Sequence, residues 1–170
     1  DIEFLDDKSK LLELKVLDKL NELGLEYFIY EHPPLRTVEE SKALRGEMHG
    51  GHTKNLFLRD KKKKNYLITV NENQKIDLKF LESELSTGRL SFGSPERLSQ
   101  FLGVKPGAVS PLALLNDKHN DVSFFIDHNL LSENILNFHP LVNHLTVSIK
   151  VTDFKYFLKS QNKFYNEIYF

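Results

Sequence analysis

The chain has 170 residues, of which 40% are hydrophobic and 28% charged, a balance typical of one folded domain. It contains no cysteine, which excludes disulfides, thiolate zinc sites and a cysteine nucleophile, and its apolar runs are far too short for a membrane span. Its formal net charge of −1 argues against the strong basic excess of proteins that coat DNA or long RNA. Contact with a few phosphates at the end of an RNA stays compatible with this charge.

The first predicted elements are a helix and a strand. Apolar residues recur at helical spacing at Leu12, Val16, Leu20 and Leu23. Gly24 is placed to end this helix in a left-handed cap. Residues 26–31 are rich in aromatic and β-branched side chains, which favours a strand that stops at the prolines following His32.

A second, short helix is predicted from a capping pattern. Thr37 and Glu40 have the spacing of a capping box, which predicts a helix over residues 38–44. Residues 46–51 contain three glycines and are expected to form a flexible loop.

Residues 55–59 and 66–71 are predicted to pair as a β-hairpin, with a run of four lysines at residues 61–64 in its tip. This run is more simply explained as a solvated turn. The alternative is that it contacts phosphates at the end of an RNA.

Later elements continue the alternation of helices and strands. Asp77 is predicted to cap one helix, and Ser94 followed by Pro95 to begin another that ends near Gly103. Further strands are predicted at residues 90–92, 122–127 and 145–151. A last helix, capped by Thr152 or Asp153, is expected to run through about Leu158.

Nothing in the chain marks a second domain or a targeting segment. It has no internal repeat, low-complexity linker or break in composition, so we predict a single domain over residues 1–170. The N-terminal residues are acidic and polar, unlike a signal peptide, and a cytoplasmic location is therefore expected.

Lys54 and Asn55 stand where a glycine-rich turn is predicted to enter a mostly apolar strand. Lys54 is either an ordinary surface lysine or a point charge for a phosphate or carbonyl oxygen. Asn55 adds a donor and an acceptor. Because neighbours in a strand face opposite ways, both reach one ligand only if the strand begins between them.

A second candidate feature is the G-x-x-x-P loop formed by Gly107, Ala108, Val109, Ser110 and Pro111. Glycine permits unusual dihedral angles that turn successive N–H groups in one direction, where they can hold a phosphate or an oxyanion. A tight connector without a ligand is the simpler interpretation of the pattern alone.

The histidines give two further possibilities. His49 and His52, with His32 as a third ligand, form a weak metal-site pattern, because they lie on a loop without regular ligand spacing. His139 lies among apolar neighbours and before a proline, which indicates an extended backbone. It is either a hydrogen-bonded structural residue or a pocket residue that orients an ester substrate.

The usual catalytic signatures are missing: the sequence has no G-x-S-x-G elbow, P-loop, G-x-G-x-x-G or H-E-x-x-H motif. Ser110 has no identifiable base partner. An enzyme with this sequence is expected to act by positioning and polarising its substrate rather than through a covalent nucleophile.

Five segments occur in the order found in one known family. They are His32-Pro33-Pro34, Thr37-Val38-Glu39-Glu40, residues 51–58 (GHTKNLFL), residues 103–111 (GVKPGAVSP) and Phe138-His139-Pro140. Together they resemble the YbaK/ProX family of prolyl-tRNA editing proteins, and within it the PrdX (ProXp-ala) type. These are freestanding relatives of the editing domain inserted in bacterial prolyl-tRNA synthetases. The resemblance covers about residues 11–158, and its combined motifs are specific although each is weak alone.

The resemblance implies an α+β fold, a curved mixed β-sheet wrapped by helices. It also implies hydrolysis of the ester between tRNA(Pro) and a wrong amino acid, alanine in this subgroup. Lys54 would be the essential residue, and the substrate-binding residues would be Asn55, Gly107, Ala108, Val109, Ser110, Pro111 and His139. No metal and no cofactor are implied. The expected partner is the acceptor end of mischarged tRNA(Pro), with prolyl-tRNA synthetase as a second candidate and neither membrane nor DNA.

Other functions stay open. Within the editing class, the substrate could carry another small residue, such as cysteine on tRNA(Pro). Outside it, the fold could be a non-catalytic module that binds tRNA or a synthetase, or a metal-dependent hydrolase built on His49 and His52.

Overall fold

The computed structural model describes residues 7–32 and 50–170, in which eight strands form one mixed sheet. The strands are β1 (Tyr27–Glu31), β2 (Gly51–Arg59), β3 (Asn65–Asn71), β4 (Ser91–Phe92), β5 (Val122–Asp127), β6 (Ile135–Phe138), β7 (Leu145–Lys150) and β8 (Asn166–Ile168). The α-helices of this part are α1 (Asp7–Glu22), α2 (Leu78–Leu85), α3 (Pro95–Leu102) and α4 (Val151–Ser160). Short 3₁₀ helices cover Pro111–Asn116 and His128–Ser132.

The sheet has the order β1-β7-β6-β2-β3-β5-β8, and β4 pairs with β2 at its far end. The β2–β3 hairpin is antiparallel, as are the β1–β7 and β6–β7 pairs. The β2–β6, β3–β5 and β5–β8 pairs are parallel. This mixture of directions, with helices packed on the sheet, confirms the predicted α+β class.

Two apolar clusters lie on the two sides of the sheet. The first core contains Phe57 and Leu67 of the central hairpin together with residues of α1, α3 and α4. The second core contains Leu58 and Ile68 of the same strands, packed with α2. Because strand residues alternate between faces, adjacent residues of β2 and β3 supply opposite cores.

Several predicted helix ends are confirmed because they depend on local chemistry. Asp77 accepts a hydrogen bond from Lys79 N, and Ser94 accepts one from Arg97 N at the start of α3. Gly103 ends α3 with a φ of +68°, in the left-handed region that favours glycine. The predicted cap of the last helix is wrong: α4 begins at Val151, after Lys150, and has no side-chain cap.

The start of β2 is the main correction to the predicted elements. The strand begins at Gly51 rather than near residue 55, because Thr53 and Lys54 pair with β3, and Gly51 and His52 pair in parallel with β6. Neither β6 nor β8 was predicted. The predicted helix over residues 38–44 and its capping box lie outside the described residues.

Candidate functional site

Lys54 and Asn55 lie in the middle of β2 and therefore on opposite sides of the sheet. Lys54 is opposite Val70, which belongs to the second core, and Asn55 is opposite Thr69. The Thr69 hydroxyl donates to Asn55 Oδ1. The condition for a shared ligand, a strand beginning between the two residues, is not met. Asn55 instead links β2 to β3 through Thr69, on the side of the sheet opposite to Lys54.

The parallel pairing of β2 and β6 joins the chain segments that lead to Lys54 and to His139. His52 is in register with Asn137, and Lys54 and His139 each lie two residues further along, beyond the last pair of this ladder. Thr53 Oγ1 donates to Asn137 O at 2.9 Å, and Asn137 Nδ2 donates to Gly51 O at 3.3 Å. These bonds hold β2 and β6 together at Gly51 and Thr53.

The side of the sheet that carries His139 is confirmed by its neighbours. Val147 and Ile149 of β7 point into the first core, so Thr146 between Leu145 and Val147 points away from it. His32 Nε2 is 2.8 Å from Thr146 Oγ1, and the His32 and His139 rings are 6.0 Å apart. We call this side, with Lys54, His139, His32 and Thr146, the site face.

His139 is held as a neutral imidazole with a defined tautomer. Its Nδ1 is 2.8 Å from the Leu145 carbonyl oxygen, which can only accept, so Nδ1 carries the proton and donates. Burial lowers the pKa of His139 below its usual value, and the nearby His32 and His144 act in the same direction, against the bond to Leu145. Nε2 is therefore left with a lone pair that can accept a hydrogen bond.

The G-x-x-x-P loop is a tight turn attached to the first core. Gly107 has a φ of +91°, and the amide of Ala108 donates to Lys105 O at 3.1 Å. Ser110 is fully buried, and its hydroxyl accepts from Leu112 N at 3.1 Å to cap the 3₁₀ helix that begins at Pro111. The Ser110 hydroxyl is thus the cap of this 3₁₀ helix.

The loop reaches the same connection that carries His139. A Cβ at Gly107 would lie 3.5 Å from Asn143 Nδ2, and Asn143 belongs to the connection between His139 and Leu145. The end of β6 is in turn bonded to β2 three residues or fewer from Lys54. The connection of residues 139–144 therefore lies against the loop through Asn143 and follows a strand whose Asn137 is bonded to Thr53, the neighbour of Lys54 in the chain.

The groups available at this site are a cation, a neutral acceptor and backbone donors. Within residues 7–32 and 50–170, the Lys54 ammonium and the amides of Gly107 and Val109 have no hydrogen-bond partner. A lysine can hold a phosphate or sugar oxygen, and backbone N–H groups can hold a carbonyl oxygen that becomes negative. The arrangement is suited to orienting and polarising an ester.

Two supporting residues were not predicted from the sequence. Thr146 bonds His32, and Asn143 lies against Gly107, but neither belongs to a recognisable motif. Asn143 is only four residues after His139, and this closeness in sequence was the signal that could have indicated it as a site residue.

The metal-site pattern finds no support among the described residues. His49 lies outside them, and His32 Nε2 is engaged with Thr146. No group of three or more histidine and carboxylate side chains in the described part of the chain is arranged to hold a metal ion. A bilayer-spanning helix is likewise not found among those residues.

The family of the chain is shown by comparison with known proteins. The family model for the aminoacyl-tRNA editing domain matches residues 32–157, and the chain belongs to that family. This membership confirms the predicted enzyme class, an aminoacyl-tRNA editing hydrolase.

Named relatives and solved structures agree with this membership. The prolyl-tRNA editing protein ProX of Acetoanaerobium sticklandii is 37% identical over 154 residues, covering 90% of this chain and 94% of that protein. The prolyl-tRNA synthetase associated domain-containing protein 1 of Mus musculus is 35% identical over 154 residues, covering 88% and 90%.

Among solved structures, hypothetical protein APE2540 superposes with a TM-score of 0.70 at 17% identity, covering 90% of this chain and 97% of that one. A candidate trans-editing enzyme for prolyl-tRNA synthetase superposes with a TM-score of 0.67 at 21% identity, covering 92% and 95%. Identities this low support the shared fold alone.

Proposed function

We propose that this protein hydrolyses the ester of mischarged tRNA(Pro), with Ala-tRNA(Pro) as its preferred substrate. The observation that carries the proposal is the position of the 139–144 connection: it follows Asn137, which is bonded to Thr53 next to Lys54, and its Asn143 lies against Gly107. The names of the relatives from Acetoanaerobium sticklandii and mouse support tRNA(Pro) as the tRNA and prolyl-tRNA synthetase as a second candidate partner. A cytoplasmic location, and action of residues 1–170 as a single domain, belong to the same proposal.

Each group has a role that follows from its chemistry. Lys54 holds a phosphate or sugar oxygen of the terminal adenosine, because an ammonium is a compact point charge for such oxygens. The amides of Gly107 and Val109 hold the acyl carbonyl, which gains negative charge as water adds. Ala108, Ser110 and Pro111 shape the turn, since they lie buried beneath it.

His139 and Asn55 act on opposite sides of the sheet. His139 Nε2 accepts from the ammonium of the amino acid, while its Nδ1 bond to Leu145 fixes the ring. Asn55 positions β2 through Thr69 rather than binding the substrate itself, because it faces away from Lys54.

The attacking water is activated by the ribose hydroxyl of the substrate itself. The site groups are a cation, a neutral imidazole and backbone amides, none of which is a strong base at neutral pH. An aminoacyl ester is already reactive, so orientation and stabilisation of the oxyanion are sufficient assistance.

Selection for alanine would depend on a pocket too small for the proline ring. Recognition of a single methylene supplies only about 1–3 kcal/mol, so exclusion by size must contribute more than attraction to a methyl group. Cysteine is the nearest competitor for such a pocket, and its rate is the finer test of the alanine assignment.

The experiment is single-turnover hydrolysis of tRNA(Pro) charged with alanine, cysteine or proline. Lys54→Ala is expected to lower the rate on alanine about 100-fold or more, the loss typical of removing one group that stabilises the transition state. Lys118→Ala, which removes an exposed lysine outside the site, serves as the matched control.

Three results would contradict the proposal. Unchanged hydrolysis by Lys54→Ala would remove the role given to that ammonium. Binding of tRNA without any turnover by the unmutated protein would favour a non-catalytic module. Loss of activity after treatment with a chelator would favour the metal-dependent alternative.

A further inference from the structure

The turn between β2 and β3 concentrates positive charge on a chain that is close to neutral. Residues 61–64 are four consecutive lysines, and all four are exposed. The formal net charge of the whole chain is only −1, so this lysine turn is a local feature rather than part of a general basic excess. We use the name lysine turn for residues 61–64.

The lysine turn has a defined conformation because the backbone and side chain of Asp60 form hydrogen bonds with Lys63 and Lys64. Asp60 N donates to Lys64 O at 3.1 Å, Lys63 N donates to Asp60 O at 3.1 Å, and Lys64 N donates to Asp60 Oδ1 at 3.0 Å. The Tyr66 hydroxyl donates to Asp60 Oδ2 at 3.1 Å. Burial acts to raise the pKa of Asp60, but these bonds outweigh it and hold the pKa below its ordinary value.

Helix α3, which packs in the first core, also forms hydrogen bonds with this turn and with Asn65 after it. Arg97 of α3 donates from Nη2 to Lys63 O at 3.1 Å and to Asn65 Oδ1. Its guanidinium lies 5.1 Å from the centre of the Phe101 ring. Arg97 therefore holds the Lys63 carbonyl and the Asn65 side chain, and its own positive charge adds to that of the four lysines.

The position of the turn relative to Lys54 indicates what it can contact. Six residues of β2 and the turn lie between Lys54 and Lys61, which corresponds to roughly 20 Å at the rise of an extended strand. A single nucleotide held at Lys54 cannot also reach the lysine turn. A polyanion that is held by its end at Lys54 and continues along β2 would reach it.

We propose that the lysine turn binds phosphates of the acceptor stem, the duplex that follows the ester-bearing end of the tRNA. This inference rests on the proposed function for the identity of the RNA. Double-stranded RNA is recognised mainly by its shape and its phosphates, and phosphate contacts fix the register of a complex without reading sequence. The lysine turn would thus orient the tRNA so that its terminal ester enters the site.

The test compares two variants with the same change in net charge. One carries Lys61→Gln, Lys62→Gln, Lys63→Gln and Lys64→Gln. The control carries Lys75→Gln, Lys79→Gln, Lys118→Gln and Lys159→Gln, which neutralise four exposed lysines scattered over other elements. Hydrolysis is measured on Ala-tRNA(Pro) and on an alanylated CCA trinucleotide that lacks the stem.

The lysine-turn variant is expected to lose about tenfold or more in kcat/KM on Ala-tRNA(Pro) and to keep its rate on the trinucleotide. Between about 50 and 200 mM salt, the slope of log kcat/KM against log salt should fall by roughly 0.7–0.9 for each phosphate contact removed. The control should keep most of its activity and its slope.

Equal losses in the two variants would overturn the inference, because they would reflect total charge alone. A loss on the trinucleotide as large as that on tRNA would also overturn it, because the turn would then act on the site. Binding of uncharged tRNA(Pro) separates this inference from the proposed function. If the unmutated protein hydrolyses no ester, weaker binding by the lysine-turn variant alone still supports the phosphate contact, whereas unchanged binding refutes it.

Discussion

Substituting His139 by asparagine or glutamine separates the roles of its two ring nitrogens. An asparagine amide places an N–H donor near the position of Nδ1 and keeps the bond to the Leu145 carbonyl, which is 2.8 Å away. It leaves no group at Nε2. A glutamine amide reaches the Nε2 position but leaves the carbonyl without its donor. The two variants therefore remove different halves of the same ring.

The expected magnitudes follow from these contacts. An acceptor that loses its donor in a partly buried position costs about 1–3 kcal/mol, so His139→Gln should lower the free energy of unfolding by that amount. For a domain of this size each kcal/mol corresponds to about 2–4 °C in Tm. His139→Asn should be more stable than His139→Gln. It should nevertheless lose about 10- to 100-fold in kcat/KM, the worth of a hydrogen bond to a charged group.

The assay combines thermal melting with single-turnover hydrolysis of Ala-tRNA(Pro) at a temperature where both variants are folded. Activity of His139→Asn equal to that of the unmutated protein would refute the role of Nε2 in holding the substrate. Equal stability of the two variants would refute the structural role of the Leu145 bond.

Two further predictions concern pH and the buried serine. The folded protein keeps His139 neutral by lowering its pKa below the ordinary 6.5, so the contribution of this residue to stability is present above that pH and is lost as the pH falls below it. Tm should therefore drop more from about pH 7 to about pH 5 in the unmutated protein than in His139→Asn, and equal drops would contradict the lowered pKa. Ser110→Ala should lose about 0.5–2 kcal/mol of unfolding free energy, because the Leu112 amide loses its cap, with hydrolysis changed little. An inactive but equally stable Ser110→Ala would show instead that the hydroxyl reacts.

The elements that the sequence predicted correctly are those specified by neighbouring residues. The hairpin across the lysine turn, the caps at Asp77 and Ser94, and the left-handed end at Gly103 each depend on contacts within a few positions. The beginning of β2 depends on β6, which follows it by more than eighty residues, and β6 is too short to give a clear alternating pattern. Long-range pairing of this kind is invisible to local propensity.

The same distinction applies to the candidate site. Lys54, the glycine loop and His139 were singled out from the sequence and given roles by resemblance, and in the structure the 139–144 connection lies against the glycine loop. The possibility that Asn55 shares a ligand with Lys54 required a strand that begins between them, whereas the pairing with β3 runs through both residues. The cap made by Ser110 was likewise not predicted, because its partner is a backbone amide rather than a side chain.

The lowered pKa of His139 is compatible with a positively charged group of the substrate next to its ring. The amino acid of an aminoacyl ester carries a positive ammonium, and a second positive charge at the imidazole would repel it. Burial and the neighbouring His32 and His144 disfavour the charged ring, and Nε2 is left as an acceptor for that ammonium. In the proposed function, Lys54 would hold the oxygens of the nucleotide, and the imidazole of His139 would hold the amino end of the substrate. The two ends of the substrate would thus be bound by two different groups.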